Sequence, residues 1–199
     1  LYSSAASDVY KRQIIDWVLQ KHLGGVVVTP ISSSKMVEDI VLKRGGKLVW
    51  TKVGSTTVSK RMQEVNSIIS MEDNGGVFYG PHQPVRDGPM SVALMLDIMA
   101  KTGKTLSQLA DELPRYSIIK ERVDVPNDCK QDVLQRVLEE TKDLNRLTID
   151  GVKVFFDEAS VLIRPSGTEA IYRVFVEAKD DRRAKELAEW GINLVKRSL

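Results

Sequence analysis

The sequence predicts an α/β chain: a mixed α/β layered domain, then a small α+β domain with a four-stranded antiparallel sheet and two helices. Three observations carry this. The apolar runs Val26-Val27-Val28 and Leu48-Val49-Trp50 flank a helical pattern, the strand–helix–strand order of a parallel layer. After Pro114 the continuous apolar runs give way to alternating ones, the mark of strands with one face in a core. Apolar residues also recur at helical spacing over 131–142 and 181–196, enough to back a small sheet. The boundary falls near 114–117, giving domains over 14–115 and 116–199.

Residues 1–13, LYSSAASDVYKRQ, read as a non-native, adaptor-like segment, since the first methionine is Met36; the alternative is a polar N-terminal arm. They are set aside. Ile14, Ile15, Val18 and Leu19 form the tail of an amphipathic helix that Gly24-Gly25 stops. Val26 to Val28 is a strand buried on both faces. Ser32, Ser33 or Ser34 caps a helix running through Lys43. Leu48 to Trp50 is the next strand, and a helix ending at Glu64 follows Thr51 to Ser55. Ile68-Ile69 and Val77-Phe78-Tyr79 are further strands, and Gly80 to Gly88 is a loop. Met90 to Ala100 is apolar nearly all round and is expected to be deeply buried. A short helix spans Leu106 to Leu113, ended by Pro114. In the second domain, strands are expected at 117–125, 152–156, 161–163 and 171–178. Helices are expected at 131–142 and 181–196, the latter turning Ala184, Leu187, Ala188, Gly191, Ile192 and Val195 inward.

Bulk composition narrows the chemistry. Net charge is +2, from 29 basic and 27 acidic residues, so no broad field draws the chain to nucleic acid or an anionic membrane. Any anion site must be local. The single cysteine, Cys129, leaves no internal disulfide and suits a reducing, cytoplasmic setting. With two distant histidines it also argues against a zinc site. No apolar run approaches the roughly 20 residues a membrane span needs.

Three loops carry candidate chemistry. Arg164-Pro165-Ser166-Gly167-Thr168-Glu169 links two strands and offers a guanidinium, two hydroxyls and the N–H groups around a glycine, donors suited to a phosphate dianion. A plain surface turn would use Pro, Ser and Gly too, and composition leaves both readings open. Arg173 lies on the opposite face of its strand from Val174 and Val176; it can lean toward the loop, or form a cross-strand ion pair with Glu177 or Glu169. Glu72-Asp73-Asn74-Gly75-Gly76 sets carboxylates and an amide beside glycines, a grouping that suits sugar hydroxyls but is also an ordinary acidic turn. Thr51 to Ser55 carries Lys52 at a strand end, a common ligand position in parallel sheets. His82 is a loop histidine able to contact a ligand or simply to face solvent.

Taken in order, these loops resemble the α-D-phosphohexomutase family of phosphoglucomutases, phosphomannomutases and phosphoglucosamine mutases. Arg164 to Glu169 looks like the phosphate loop of that family's fourth domain, and Glu72 to Gly76 like the sugar loop of its third. Thr51-Lys52-Val53-Gly54, Arg86-Asp87-Gly88, Leu113-Pro114-Arg115-Tyr116 and Asp150-Gly151-Val152-Lys153 also fit, and the likeness covers 14–199. Departures are Ser70-Met71 where two glycines are usual, Ala170 in place of a proline, and no tryptophan near Glu158-Ala159.

The resemblance implies a C-terminal fragment of an enzyme that interconverts hexose 1- and 6-phosphates through a phosphoserine and a hexose 1,6-bisphosphate. It implies that Arg164, Ser166, Gly167, Thr168 and Arg173 hold the phosphate, and that Glu72, Asn74 and Gly76 read the sugar. Lys52, Gly54, Ser55 and His82 would line the cleft. The phosphoserine loop and the Mg²⁺ ligands belong to preceding domains, so no catalytic or metal residue is expected in this stretch. The implied partners are a hexose phosphate and those N-terminal domains, with neither nucleic acid nor membrane. Glucose, mannose and glucosamine all remain open. A non-catalytic phospho-sugar binding module is the alternative.

Overall fold

The structure, a computed structural model, describes residues 2–73, 75–112 and 116–199. The chain divides into two compact units, Leu1–Pro114 and Arg115–Leu199.

The first unit is a three-layer sandwich. Its elements run α1 (Tyr2–Lys21), β1 (Val26–Pro30), α2 (Lys35–Lys43), β2 (Lys47–Thr51), α3 (Ser55–Glu64), β3 (Ile69–Met71), β4 (Val77–Tyr79), β5 (Gln83–Arg86), α4 (Gly88–Thr102) and α5 (Leu106–Asp111). The sheet order is β2-β1-β3-β4-β5; β1 is parallel to β2 and β3, while β4 and β5 turn back antiparallel. Alternation along β1 explains the layering. Val27 joins Ile14, Ile15, Val18, Leu19, Ile69 and Leu94 in the core under α1, α2, α4 and α5. Val28 faces the other way, onto Val58 and Met62 of α3. A strand between two apolar layers needs apolar residues at every position, as the valine run has.

Local signals fix the helix starts. The Ser34 hydroxyl accepts from the Met36 N–H at 3.2 Å, choosing among the three serines. Asp87 caps α4 by accepting from the Met90 N–H at 2.8 Å. Thr105 and Gln108 form a reciprocal capping box on α5.

Several expectations are corrected. The helix read only from Ile14 begins at Tyr2, and Lys11, Arg12 and Gln13 are buried. The segment 80–88 is not a simple loop but contains edge strand β5. Helix α4 buries Leu94 and Ile98, yet Val92 is 60% and Leu96 58% exposed. It packs one face on α1 and β4, and its uniform apolar composition hides which face is inward.

The second unit runs β6 (Ser117–Asp124), α6 (Lys130–Glu140), β7 (Arg146–Leu147), β8 (Val152–Phe156), β9 (Ala159–Pro165), β10 (Ile171–Ala178) and α7 (Asp181–Arg197). Its antiparallel sheet has five strands, not four, in the order β6-β10-β9-β8-β7. The extra member, β7, has two residues, too few to show a period. Helices α6 and α7 cover one face through Val133, Val137, Leu187 and Leu194. Leu194 rather than Ile192 is fully buried on α7. Gly191 lets α7 settle onto the sheet, since a Cβ there would lie 2.8 Å from Val174 Cγ1. No helix among the described residues is long and apolar enough to cross a membrane.

Candidate functional site

The first unit carries two of the three predicted loops and the second unit carries one. In the second unit, the 164–169 loop joins β9 to β10. Pairing of Arg164 with Arg173 across these strands puts the two guanidinium side chains on one face, away from the α6–α7 core. Arg164 Nη2 lies 3.1 Å from Asp150 Oδ2, and Arg173 Nη2 lies 2.6 Å from Glu169 Oε2. An ion pair of Arg173 with Glu169, one of the two partners considered, therefore exists, but within the hairpin loop rather than across strands. The buried Nε–H groups of both arginines find no acceptor among the described residues.

The loop is folded by its own serine. Ser166 is buried, and its Oγ accepts from the N–H groups of Thr168 at 3.4 Å and Glu169 at 3.2 Å. Gly167 and Thr168 are exposed at the tip, and a Cβ on Gly167 would meet nothing within 4 Å. Openness, not backbone strain, distinguishes this glycine. Behind Arg164 the reverse holds. Gly151 has φ +82°, and a Cβ there would sit 2.4 Å from Ile163 O and 2.6 Å from Arg164 Cβ. The Asp150–Gly151 turn thus approaches closely enough to pair Asp150 with Arg164.

Sequence reading missed two residues here. Lys130, in the first turn of α6, donates from Nζ to the carbonyl oxygens of Ser166 at 2.7 Å and Glu169 at 2.6 Å. Its own carbonyl accepts from the Tyr172 hydroxyl at 2.6 Å, and burial pushes the Tyr172 phenol up to about 12. Arg122 on β6 pairs in register with Arg173 and sits 3.7 Å from Glu169 Oε1. The alternation of β6 signalled an outward Arg122, but register with Arg173 was not readable.

In the first unit, Glu72 follows β3 directly and is only 3% exposed. Arg86 Nε on β5 lies 2.5 Å from Glu72 Oε2, and Ser55 Oγ donates to the same oxygen at 3.2 Å. Two predicted residues, Glu72 and Ser55, are thereby brought together. The Glu72 N–H bonds Gly76 O at 2.9 Å, closing the loop on itself. Gly76 makes room for Arg86, whose Cδ would lie 2.9 Å from an added Cβ. Asn74 lies outside the described residues. The set-aside N-terminal helix buttresses the loop: Lys11 Nζ donates to the carbonyls of Glu72 at 2.9 Å and Asp73 at 3.2 Å, and Tyr10 to that of Gly75 at 2.8 Å. The departure Ser70-Met71 belongs to β3, with Met71 in the core.

Gly54 has φ +137°, a value that favours glycine, and caps α3 just before Ser55. Lys52 is exposed beside it. His82 is half exposed, with Nε2 3.3 Å from Asp87 Oδ2. Its side chain thus meets the cap of α4. Among the described residues no group of three or more His, Cys, Asp or Glu is placed to hold a metal ion.

Residues 10–116 match the phosphoglucomutase/phosphomannomutase alpha/beta/alpha domain III, and residues 121–190 match that family's C-terminal domain. A phosphoglucomutase/phosphomannomutase of Thermococcus kodakarensis is 41% identical over 187 residues, which is 94% of this chain and 41% of the relative. A phosphoglucosamine/phosphogalactosamine mutase of Sulfurisphaera tokodaii is 40% identical over 164 residues, 81% of this chain and 36% of the relative. A solved phosphoglucomutase/phosphomannomutase family protein of Burkholderia thailandensis shares the fold, with TM-score 0.82 at 18% identity over 96% of this chain and 41% of that one. The chain thus spans about two fifths of the length of these relatives. With two consecutive domains matched in order, and both loops lying inside them, the chain belongs to the phosphoglucomutase/phosphomannomutase family.

Proposed function

We propose that this chain is the recognition half of a phosphohexomutase. In this reading the 164–169 loop takes the phosphate of a hexose phosphate, and the 72–76 loop reads sugar hydroxyls. The observation that carries it is the in-register pair of Arg164 and Arg173 beside the exposed tip Gly167-Thr168. Two cations on one face, next to an exposed tip that carries the Gly167 N–H and the Thr168 hydroxyl, match the charge and shape of a phosphate.

The chemistry assigned to each group follows. Arg164, already oriented by Asp150, and Arg173 neutralise the dianion. Thr168 Oγ1 and the Gly167 N–H add direction. Ser166 acts mainly by folding the loop, with its hydroxyl proton left to donate. The Glu72 carboxylate, fixed by Arg86 and Ser55, is a rigid acceptor for a sugar hydroxyl, joined by Asn74. Lys52, Gly54 and His82 line the approach. The phosphoserine that would exchange phosphoryl groups, the Mg²⁺ that would assist it and the hexose 1,6-bisphosphate intermediate are assigned to the whole cytoplasmic enzyme, with the nucleophile and metal ligands in preceding domains. This chain's residues hold and orient; they make and break no bond.

Calorimetry with glucose 1-phosphate tests the reading. Arg164→Ala is expected to weaken binding by one to two orders of magnitude, since a charge-assisted bond is worth roughly 1.5–3 kcal/mol. Unchanged affinity would remove Arg164 from the site. Mixing the chain with a polypeptide supplying the family's preceding domains separates enzyme from binding module: mutase activity that appears only on mixing supports the enzyme.

A further inference from the structure

Three arginines stand side by side on the outer face of the C-terminal sheet. Arg122 on β6 pairs with Arg173 on β10, and Arg173 pairs in turn with Arg164 on β9. Directly opposed residues in an antiparallel ladder share a face with Cβ atoms about 4.5–5.5 Å apart, and like charges there repel. Such a row stands only with compensating charge. Asp150 supplies it to Arg164 at 3.1 Å. Glu169 supplies it to the other two, with Oε2 2.6 Å from Arg173 and Oε1 3.7 Å from Arg122. Among the described residues these three guanidinium groups thus pair with two carboxylates.

The Glu169 contacts have a particular form. One carboxylate sends one oxygen to each of two neighbouring guanidinium groups, as two oxygens of a phosphate would. The carboxylate is tethered at the end of the loop whose tip is open, and it is 45% exposed. It is therefore free to swing into solvent when a stronger anion arrives.

We propose that Arg122 is part of the anion site and that the Glu169 carboxylate is its internal stand-in. An incoming phosphate dianion displaces the Glu169 side chain and takes Arg122 and Arg173 together, while Asp150 keeps Arg164 in place. The inference rests on the reading of the 164–169 loop as a phosphate site; to that reading it adds a cation and a built-in competitor. A monoanion exchanging with Glu169 gains no charge, whereas a dianion gains one, so the row selects dianions. Return of Glu169 eases release, useful where a phosphate must be let go and gripped again. The Arg122 side chain is 69% exposed, so its contribution is limited by solvent screening.

The test is a titration of the 199-residue chain with inorganic phosphate at constant ionic strength, following the Gly167 and Thr168 amide signals by NMR. Absence of a saturable shift in the wild type sinks the phosphate reading itself. Given wild-type binding, Arg122→Met should weaken phosphate about threefold to tenfold with its melting temperature unchanged. Glu169→Gln should tighten phosphate by a similar factor and lose a little thermal stability that phosphate restores. Acetate should bind neither the wild type nor Arg122→Met measurably. Equal affinity in Arg122→Met, or equal or weaker affinity in Glu169→Gln, or saturable acetate binding to the wild type overturns the proposal and leaves the phosphate loop standing.

Discussion

The ammonium of Lys130 lies 2.7 Å from the carbonyl oxygen of Ser166, so a cation on α6 fixes the backbone of the anion loop. With Glu169 O also bound, carbonyls at both ends of the tip are turned toward Lys130. Removing this ammonium strips the half-buried Ser166 carbonyl of its Lys130 partner, at a cost of about 1–3 kcal/mol, while the Glu169 carbonyl keeps the Ile171 N–H at 2.8 Å. Lys130→Met is therefore expected to speed amide exchange at Gly167 and Thr168 about tenfold and to weaken phosphate binding. Lys130→Arg should recover most of both. Exchange rates equal to wild type would show that the loop holds its shape without Lys130.

Gly151 predicts a sharper effect. Its positive φ and the 2.4 Å approach to Ile163 O leave no room for a side chain. Gly151→Ala should cost at least about 2 kcal/mol in urea unfolding, with Arg164 pushed off Asp150. A stability loss within a few tenths of a kcal/mol would contradict this packing.

The pair of Glu72 and Arg86 gives a test in the first unit. Glu72 is buried, whereas the Arg86 side chain is 46% exposed. Arg86→Met strips the main partner from a carboxylate that among the described residues then keeps Ser55. Loss of about 1–3 kcal/mol is expected. Arg86→Lys should recover part of it. Equilibrium unfolding of the three proteins measures both differences.

Asp87 sets a pH dependence. The Met90 N–H, then Gln83, hold its carboxyl below the ordinary value of 3.8. A carboxyl depressed in the folded state stabilises above its unfolded pKa, and this contribution is lost as pH falls through the folded value. Asp87→Ala should melt lower than wild type at pH 7, because a charged helix cap is lost. The gap should close as the solution is acidified below the carboxylate range. A constant gap across that range would exclude the charged cap.

Much of this molecule was legible in its residues. The β-branched run at 26–28 demanded a strand between two layers, and the alternation at 171–178 set Arg173 outward, because side-chain period is a local property. The polar, strand-joining character of 164–169 was likewise readable from its residues. Other features depend on which distant segments meet. Lys130 and Arg122 are ordinary surface cations until α6 and β6 are laid against the loop, at 36 and 47 residues' remove from Ser166 and Glu169. The exposed face of α4 escaped notice because a helix apolar nearly all round carries little period to say which side is covered. The buttress from Tyr10 and Lys11 escaped because their partners are backbone carbonyls 65 and 61 residues away, which have no signature in a sequence. Periodicity and donor type are written along the chain, whereas register and the choice of partner follow from packing, where burial selects among many pairings of equal local merit.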